Sequence, residues 1–184
     1  GASFIEILSA EQSEISSAWY EVRAEAVRRK LVHLHAHGDE FVLILSGDQL
    51  YQMNFQGMLA NHISNEADIS IATIPVNAHD ATGFGIMKTD ENGLITSFIE
   101  KPNADILHEW TSEVSPEMER EGKKYLASMG IYIFNRKFLF EILRDKKEAI
   151  DFGKEVIPQA IEKYNRVMSY QYEGYWTDIG NITS

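Results

Sequence analysis

Two aspartates in this chain sit where strands end. Asp48 follows Phe41-Val42-Leu43-Ile44-Leu45 and Ser46-Gly47. An unbroken apolar run of this kind reads as a buried parallel strand that delivers the carboxylate at its C-terminal end, the edge where open α/β sheets bind ligands. Asp178 follows a second strand-like run, in Tyr175-Trp176-Thr177-Asp178-Ile179-Gly180. A single aspartate at a strand end is also an ordinary helix cap. Two of them can share a Mg²⁺ ion that grips substrate phosphates.

A third candidate is Glu100-Lys101-Pro102. At a strand end an ammonium can hold a phosphate as a point charge, while the neighbouring carboxylate accepts hydroxyl hydrogens. Taken alone, the same pair reads more readily as a solvated ion pair before a proline stop. His33, His35 and His37 invite a metal reading and do not sustain it. Only His33 and His37 would share a helix face, and no carboxylate completes a set. They read as surface histidines near a helix C-terminus, where the dipole favours them.

The elements that must position these groups follow from apolar periodicity. Ala24, Val27, Leu31 and Leu34 recur at helical spacing, so 19–38 is predicted as a helix stopped by Gly38. The strand 41–45 follows, then a helix over 54–65 and a strand over 69–76. Strands at 84–89 and 94–99 flank Asp90-Glu91-Asn92-Gly93, a hairpin signal. Residues 104–124 are polar and loosely helical, an excursion over the surface. A strand at 126–134, helices at 136–144 and 152–163, and a short strand at 168–172 complete the pattern. Alternating strands and helices with one antiparallel hairpin predict a three-layer α/β domain with a mixed, mostly parallel sheet.

Composition limits the partners. The 184 residues suffice for most of one domain with a substantial core. The net charge of −11 (17 Lys+Arg against 28 Asp+Glu) argues against nucleic acid and anionic membrane as partners. A phosphorylated small substrate remains compatible, because Mg²⁺ and local cations offset its charge. There is no cysteine, so neither disulfides nor thiolate chemistry arise, and a cytoplasmic location is the expectation.

Six segments occur in an order that resembles the sugar-1-phosphate nucleotidylyltransferases. They are Leu-Ser-Gly-Asp-Gln-Leu-Tyr at 45–51, Phe-Gly-Ile-Met at 84–87, Phe-Ile-Glu-Lys-Pro at 98–102, Ser-Met-Gly-Ile-Tyr at 128–132, Asp-Phe-Gly-Lys-Glu-Val-Ile-Pro at 151–158 and Tyr-Trp-Thr-Asp-Ile-Gly at 175–180. Within that family the set is most similar to the glucose-1-phosphate adenylyltransferases. The resemblance implies a Rossmann-like nucleotidyltransferase domain, incomplete here. It also implies transfer of an adenylyl group from ATP to glucose 1-phosphate, in glycogen- or starch-like biosynthesis. It assigns Asp48 and Asp178 to Mg²⁺ and to catalysis with Lys101, which takes the sugar phosphate. Glu100 is implied to bind glucose hydroxyls, Gly85 to let backbone approach the sugar, and Ser128 to contact it through its hydroxyl. Tyr20 matches an aromatic of the substrate pocket. Each has a plainer reading in packing alone: a bulge glycine, a small strand residue, an aromatic on an amphipathic helix.

Two departures bear on function. The family's Gly-rich, Arg-containing loop and its C-terminal left-handed β-helix find no counterpart, so residues 1–184 are expected to be part of a catalytic domain from a longer, homo-oligomeric protein, tetrameric by resemblance. Alone, the chain is expected to be inactive and to self-associate. Where the family commonly has Gly-Thr-Ala-Asp-Ala, this chain has Val22-Arg23-Ala24-Glu25-Ala26, which alters the nucleotide pocket. The alternatives therefore stay open: a non-catalytic or regulatory homologue that keeps the sugar pocket, or an enzyme using UTP or dTTP.

Overall fold

The computed structural model describes residues 4–7, 29–36, 38–46, 55–144, 152–163 and 165–172. Eight strands form one sheet: β1 (Phe4–Ile7), β2 (Arg29–Ala36), β3 (Asp39–Ser46), β4 (Ile69–Val76), β5 (Gly85–Thr89), β6 (Ile95–Glu100), β7 (Tyr125–Asn135) and β8 (Val167–Gln171). Their spatial order is β1-β2-β3-β7-β4-β8, with β5 also paired to β7 and β6 paired to β5. The helices are α1 (Phe55–Ser64), α2 (Ala78–Ala81), α3 (Pro116–Arg120), α4 (Arg136–Arg144) and α5 (Ile157–Glu162). A 3₁₀ turn spans Ala104–Glu109, and a π-helical turn, Phe152–Val156, leads into α5. No described helix is long and apolar enough to cross a membrane.

Both faces of the sheet are buried, as three layers require. Along β3, Val42 and Ile44 enter one core while Phe41, Leu43 and Leu45 enter the other, the period-two alternation of a central strand. The first core lies against α4, the π-turn and α5, through Leu139, Val156, Ile157 and Ala160. The second lies against α1 and the 3₁₀ turn, through Met58, Leu59 and Leu107.

Two expectations are corrected. The sheet is mixed, but among the described residues β4 with β8 is the parallel pair and the other strand pairings are antiparallel. The 41–45 run is thus a buried antiparallel strand, between β2 and β7. A strand apolar on both faces reveals its burial and not its direction, which the connections decide. Second, residues 29–36 are strand and not helix; 19–28 lie outside the described residues. Ala36 opposes Asp39, and Gly38 at φ +82° makes the tight turn of a hairpin. A glycine with positive φ ends a helix or turns a hairpin equally well, and the Leu31–Leu34 spacing fitted a helix face. His33 accordingly is buried in β2, and half-buried His35 lies 3.8 Å from the carboxylate of Glu40; neither ends a helix.

The hairpin β5–β6 forms where expected. The Asp90 carboxylate accepts the backbone N–H groups of Asn92 (2.8 Å) and Leu94 (3.0 Å), and Gly93 adopts φ +86°. Its tip reaches the far edge of the sheet. Leu94 bridges Met168 of β8, and the Ser169 N–H donates to the Gly93 carbonyl at 2.8 Å.

Candidate functional site

The strand register places three of the candidate residues side by side. Gly85 of β5 pairs with Glu100 of β6, and Ile86 of β5 pairs with Ala127 of β7. One step beyond Ile86–Ala127, Gly85 is level with Ser128. Ser128 in turn opposes Thr73 of β4. Side-chain alternation puts all four positions on the face of the first core, since Met87, Phe98 and Leu126 pack there.

Lys101 ends β6. Its N–H still donates to the Phe84 carbonyl at 3.0 Å, but its φ is +48°, left-handed for a residue with a Cβ. Pro102, buried, follows directly and already restricts the residue before it. The chain thus turns away at Lys101 and leaves that side chain exposed beside half-buried Glu100. Ion pairs between described residues join His35 and Arg136 to Glu40, and Lys123 to Glu121; Lys101 is in none of these. An exposed ammonium on a constrained backbone next to a carboxylate suits a phosphate beside hydroxyls.

Gly85 has a reason of its own to be glycine. A Cβ built there would lie 2.5 Å from Cζ of Phe98, whose ring fills the vacant side-chain space from the neighbouring strand. Packing within the hairpin therefore requires the glycine, whatever else approaches it.

Ser128 sits at an irregularity. Between Ile71–Tyr132 and Thr73–Ser128 the β4·β7 register shifts, because β7 carries extra residues there. Gly130 takes φ +72° in this bulge and donates its N–H to Ser128 Oγ at 3.2 Å. On the other side of β4, Thr73 Oγ1 and Ser169 Oγ of β8 are 2.7 Å apart. Thr73 is fully buried. The sequence reading missed this pair; the available signal was a threonine in the buried run of β4 and a serine directly behind buried Val167-Met168.

Tyr20, Asp48 and Asp178 lie outside the described residues, and with them the shared cleft expected of Asp48, Lys101 and Asp178. Among the described residues no group of three or more His, Cys, Asp or Glu side chains is placed to hold a metal ion. Two cavities, of about 440 and 450 Å³, lie elsewhere: one by Glu40 and Arg136, the other between Phe138 and Ala160.

A second polar group was also missed, on the opposite face. His62 of α1, buried, has Nδ1 2.6 Å from Ser70 Oγ and Nε2 2.8 Å from Asn135 Oδ1. Asn135 donates its Nδ2 to the Ala67 carbonyl at 3.1 Å, which makes Oδ1 an acceptor. His62 Nε2 therefore carries the proton, and Nδ1 accepts from Ser70. Burial pushes the His62 pKa below its usual value, against opposing contributions from Asn135 and from Asp68.

The chain matches the family described as nucleotidyl transferase over residues 4–184. It is also similar to the glucose-1-phosphate adenylyltransferase small subunit, chloroplastic/amyloplastic, of Triticum aestivum. The two are 39% identical over 184 aligned residues, covering 97% of this chain and 39% of that protein. The chain therefore spans about two fifths of the length of that curated relative. With the family match reaching across nearly all of the sequence, the chain belongs to the nucleotidyl transferase family.

Proposed function

We propose that this chain forms the sugar-phosphate-binding core of a glucose-1-phosphate adenylyltransferase, and that the protein it belongs to makes ADP-glucose and pyrophosphate from ATP and glucose 1-phosphate for a glycogen- or starch-like polymer. The carrying observation is the row Glu100–Gly85–Ser128 with Lys101 turned out at its end. In this reading the Lys101 ammonium holds the phosphate of glucose 1-phosphate, while Glu100 and Ser128 take sugar hydroxyls. A phosphate oxygen attacks the α-phosphorus of ATP, the bond from that phosphorus to the bridging oxygen breaks, and pyrophosphate leaves. The nucleophile is already ionised at neutral pH, so no general base is needed. Positioning and charge neutralisation do most of the catalysis. Mg²⁺ held by Asp48 and Asp178 would neutralise the triphosphate; this assignment rests on the residue types and the family resemblance. A cytoplasmic, homo-oligomeric parent belongs to the same proposal.

A homologue that keeps the sugar pocket without turnover is the second reading, favoured by Val22-Arg23 where the family commonly has Gly-Thr. Both readings share the sugar site. Titration of glucose 1-phosphate into the wild-type chain and Lys101→Ala, with glucose as control, tests that site. The variant should bind about 10- to 100-fold more weakly, because a charged hydrogen bond is lost. Lys101→Arg should recover only part of the affinity, since a planar fork replaces a compact charge. Equal binding by wild type and Lys101→Ala would return Glu100-Lys101 to an ordinary surface pair.

A further inference from the structure

Three hydroxyls stand on three adjacent strands of one sheet face: Ser128 on β7, Thr73 on β4 and Ser169 on β8. Apart from Glu100 at the end of β6, that face is built mainly from Val, Ile, Leu, Met and Phe side chains. A hydroxyl there costs free energy unless it is hydrogen-bonded, so a functional or structural reason has to account for three together. Thr73 and Ser169 satisfy one another at 2.7 Å although 96 residues separate them. Ser128 Oγ accepts from the Gly130 N–H, which leaves its own hydrogen to donate outward.

The position of the pair matters more than its existence. The register of β7 slips directly beside Thr73, and Gly130 in that slip has left-handed φ. A bulge of this kind bends the strand and re-aims side chains. Opposite residues on antiparallel strands have Cβ atoms about 4.5–5.5 Å apart, so what fixes Thr73 also bounds Ser128. Thr73 is fixed twice. Its hydroxyl is tied to Ser169, and its carbonyl accepts the Tyr172 N–H at 2.8 Å, both from the β8 side.

We propose that Thr73, clipped to Ser169, is a positioning residue that holds the Ser128 hydroxyl toward the sugar and so narrows which hydroxyl stereochemistry the pocket accepts. The inference rests on the reading of Ser128 as a sugar contact in the proposed function. Thr73 itself does not touch the ligand; it acts through the strand it pairs with. A purely structural clip between β4 and β8 would leave stability dependent on Thr73 and selectivity independent of it.

Those two outcomes separate in one experiment. Glucose 1-phosphate, its 4-epimer galactose 1-phosphate and its 2-epimer mannose 1-phosphate are titrated into the full chain and into Thr73→Val, Thr73→Ser and Ser169→Ala, with urea unfolding of each. Thr73→Val keeps the shape and removes the hydroxyl. It should weaken glucose 1-phosphate about three- to ten-fold, the loss of one ordinary hydrogen bond, and shrink the preference over the epimers by a similar factor. Thr73→Ser should restore most of that preference. Should Thr73→Val fail to fold, Ser169→Ala, which leaves β4 intact, decides by the same readout. An epimer preference unchanged from wild type in the folded variants overturns the proposal, even if unfolding shifts. Absence of glucose 1-phosphate binding by wild type itself would overturn the proposed function, and this inference with it.

Discussion

Strands β4 and β7 each contribute to two polar groups, one on either face of the sheet. On the α1 side, Ser70 and Asn135 enclose His62; on the α5 side, Thr73 and Ser128 join with Ser169. The first group is closed. His62 uses both ring nitrogens, Asn135 passes its donor to Ala67, and an edge-on Phe41 ring lies 5.5 Å away at 84°. The second group is open, ending in a bulge and a hydroxyl with a hydrogen left to donate, with a left-handed lysine at the end of β6, two strands from β7. Complete polar networks rigidify a fold, whereas a hydroxyl with a hydrogen still to donate has bonding capacity left for another group. The contrast separates the part of the sheet that is framework from the part proposed to receive substrate.

The largest test of that division is His62→Ala. It opens a hole and strands Ser70 and Asn135, and should cost about 3–4 kcal/mol by urea unfolding, with little change in glucose 1-phosphate affinity once the protein is folded. The same residue gives a pH signature. With the folded-state pKa lowered, the unfolded chain takes up the proton first as pH falls. Stability should be fully present above about 6.5 and should decline as the pH drops from there toward the lowered folded-state value. His62→Ala should lack that part of the pH dependence. A wild-type urea midpoint as steep in pH as that of the variant would contradict the closed network.

Gly85→Ala should cost about 1–3 kcal/mol, because the new methyl meets the Phe98 ring and the hairpin must shift. Adding Phe98→Leu should recover part of the loss. If glucose 1-phosphate binding returns with stability in the double variant, the glycine serves packing first and the sugar second. The smallest effect is expected at Lys101. Lys101→Gly relieves a left-handed conformation and should raise stability by about 0.5–1 kcal/mol after the added backbone freedom of glycine is set against it. The same change should weaken sugar-phosphate binding about 10- to 100-fold, as for Lys101→Ala. A variant that is less stable as well as weaker in binding would show Lys101 to be part of the framework.

Elements whose pattern is local were legible in the sequence. The strand over 69–76 and the helix over 136–144 have the bounds that periodicity gave them, and the Asn92-Gly93 turn is where its chemistry requires. β2 was misread because Leu31, Leu34 and Gly38 satisfy helix rules, while the deciding contact was with Phe41–Leu45 across a hairpin. Strand direction was invisible for a related reason: five consecutive apolar residues have no polar face to orient. Among the candidates, Glu100 and Lys101 could be proposed from one short segment because they are adjacent in sequence. Thr73 and Ser169 were not, because a hydroxyl in a strand is unremarkable until the register supplies its partner. His62 was missed likewise, as its partners come from β4 and from the end of β7.

The bridge between Leu94 and Met168 has a consequence for synthesis of the chain. Strands β7, β4 and β8, together with the β5–β6 hairpin, make a ring that only the arrival of β8 can complete. Emerging from the ribosome, β4 waits for β7 on one flank and then for β8 on the other, with its hydrogen-bonding groups bare meanwhile. Contacts of such long sequence separation form slowly. The last described strand to be translated is thus the one that seals the Thr73–Ser169 clip, and nascent chains halted before residue 167 should hold Gly85, Glu100, Lys101 and Ser128 without the clip that fixes their strands.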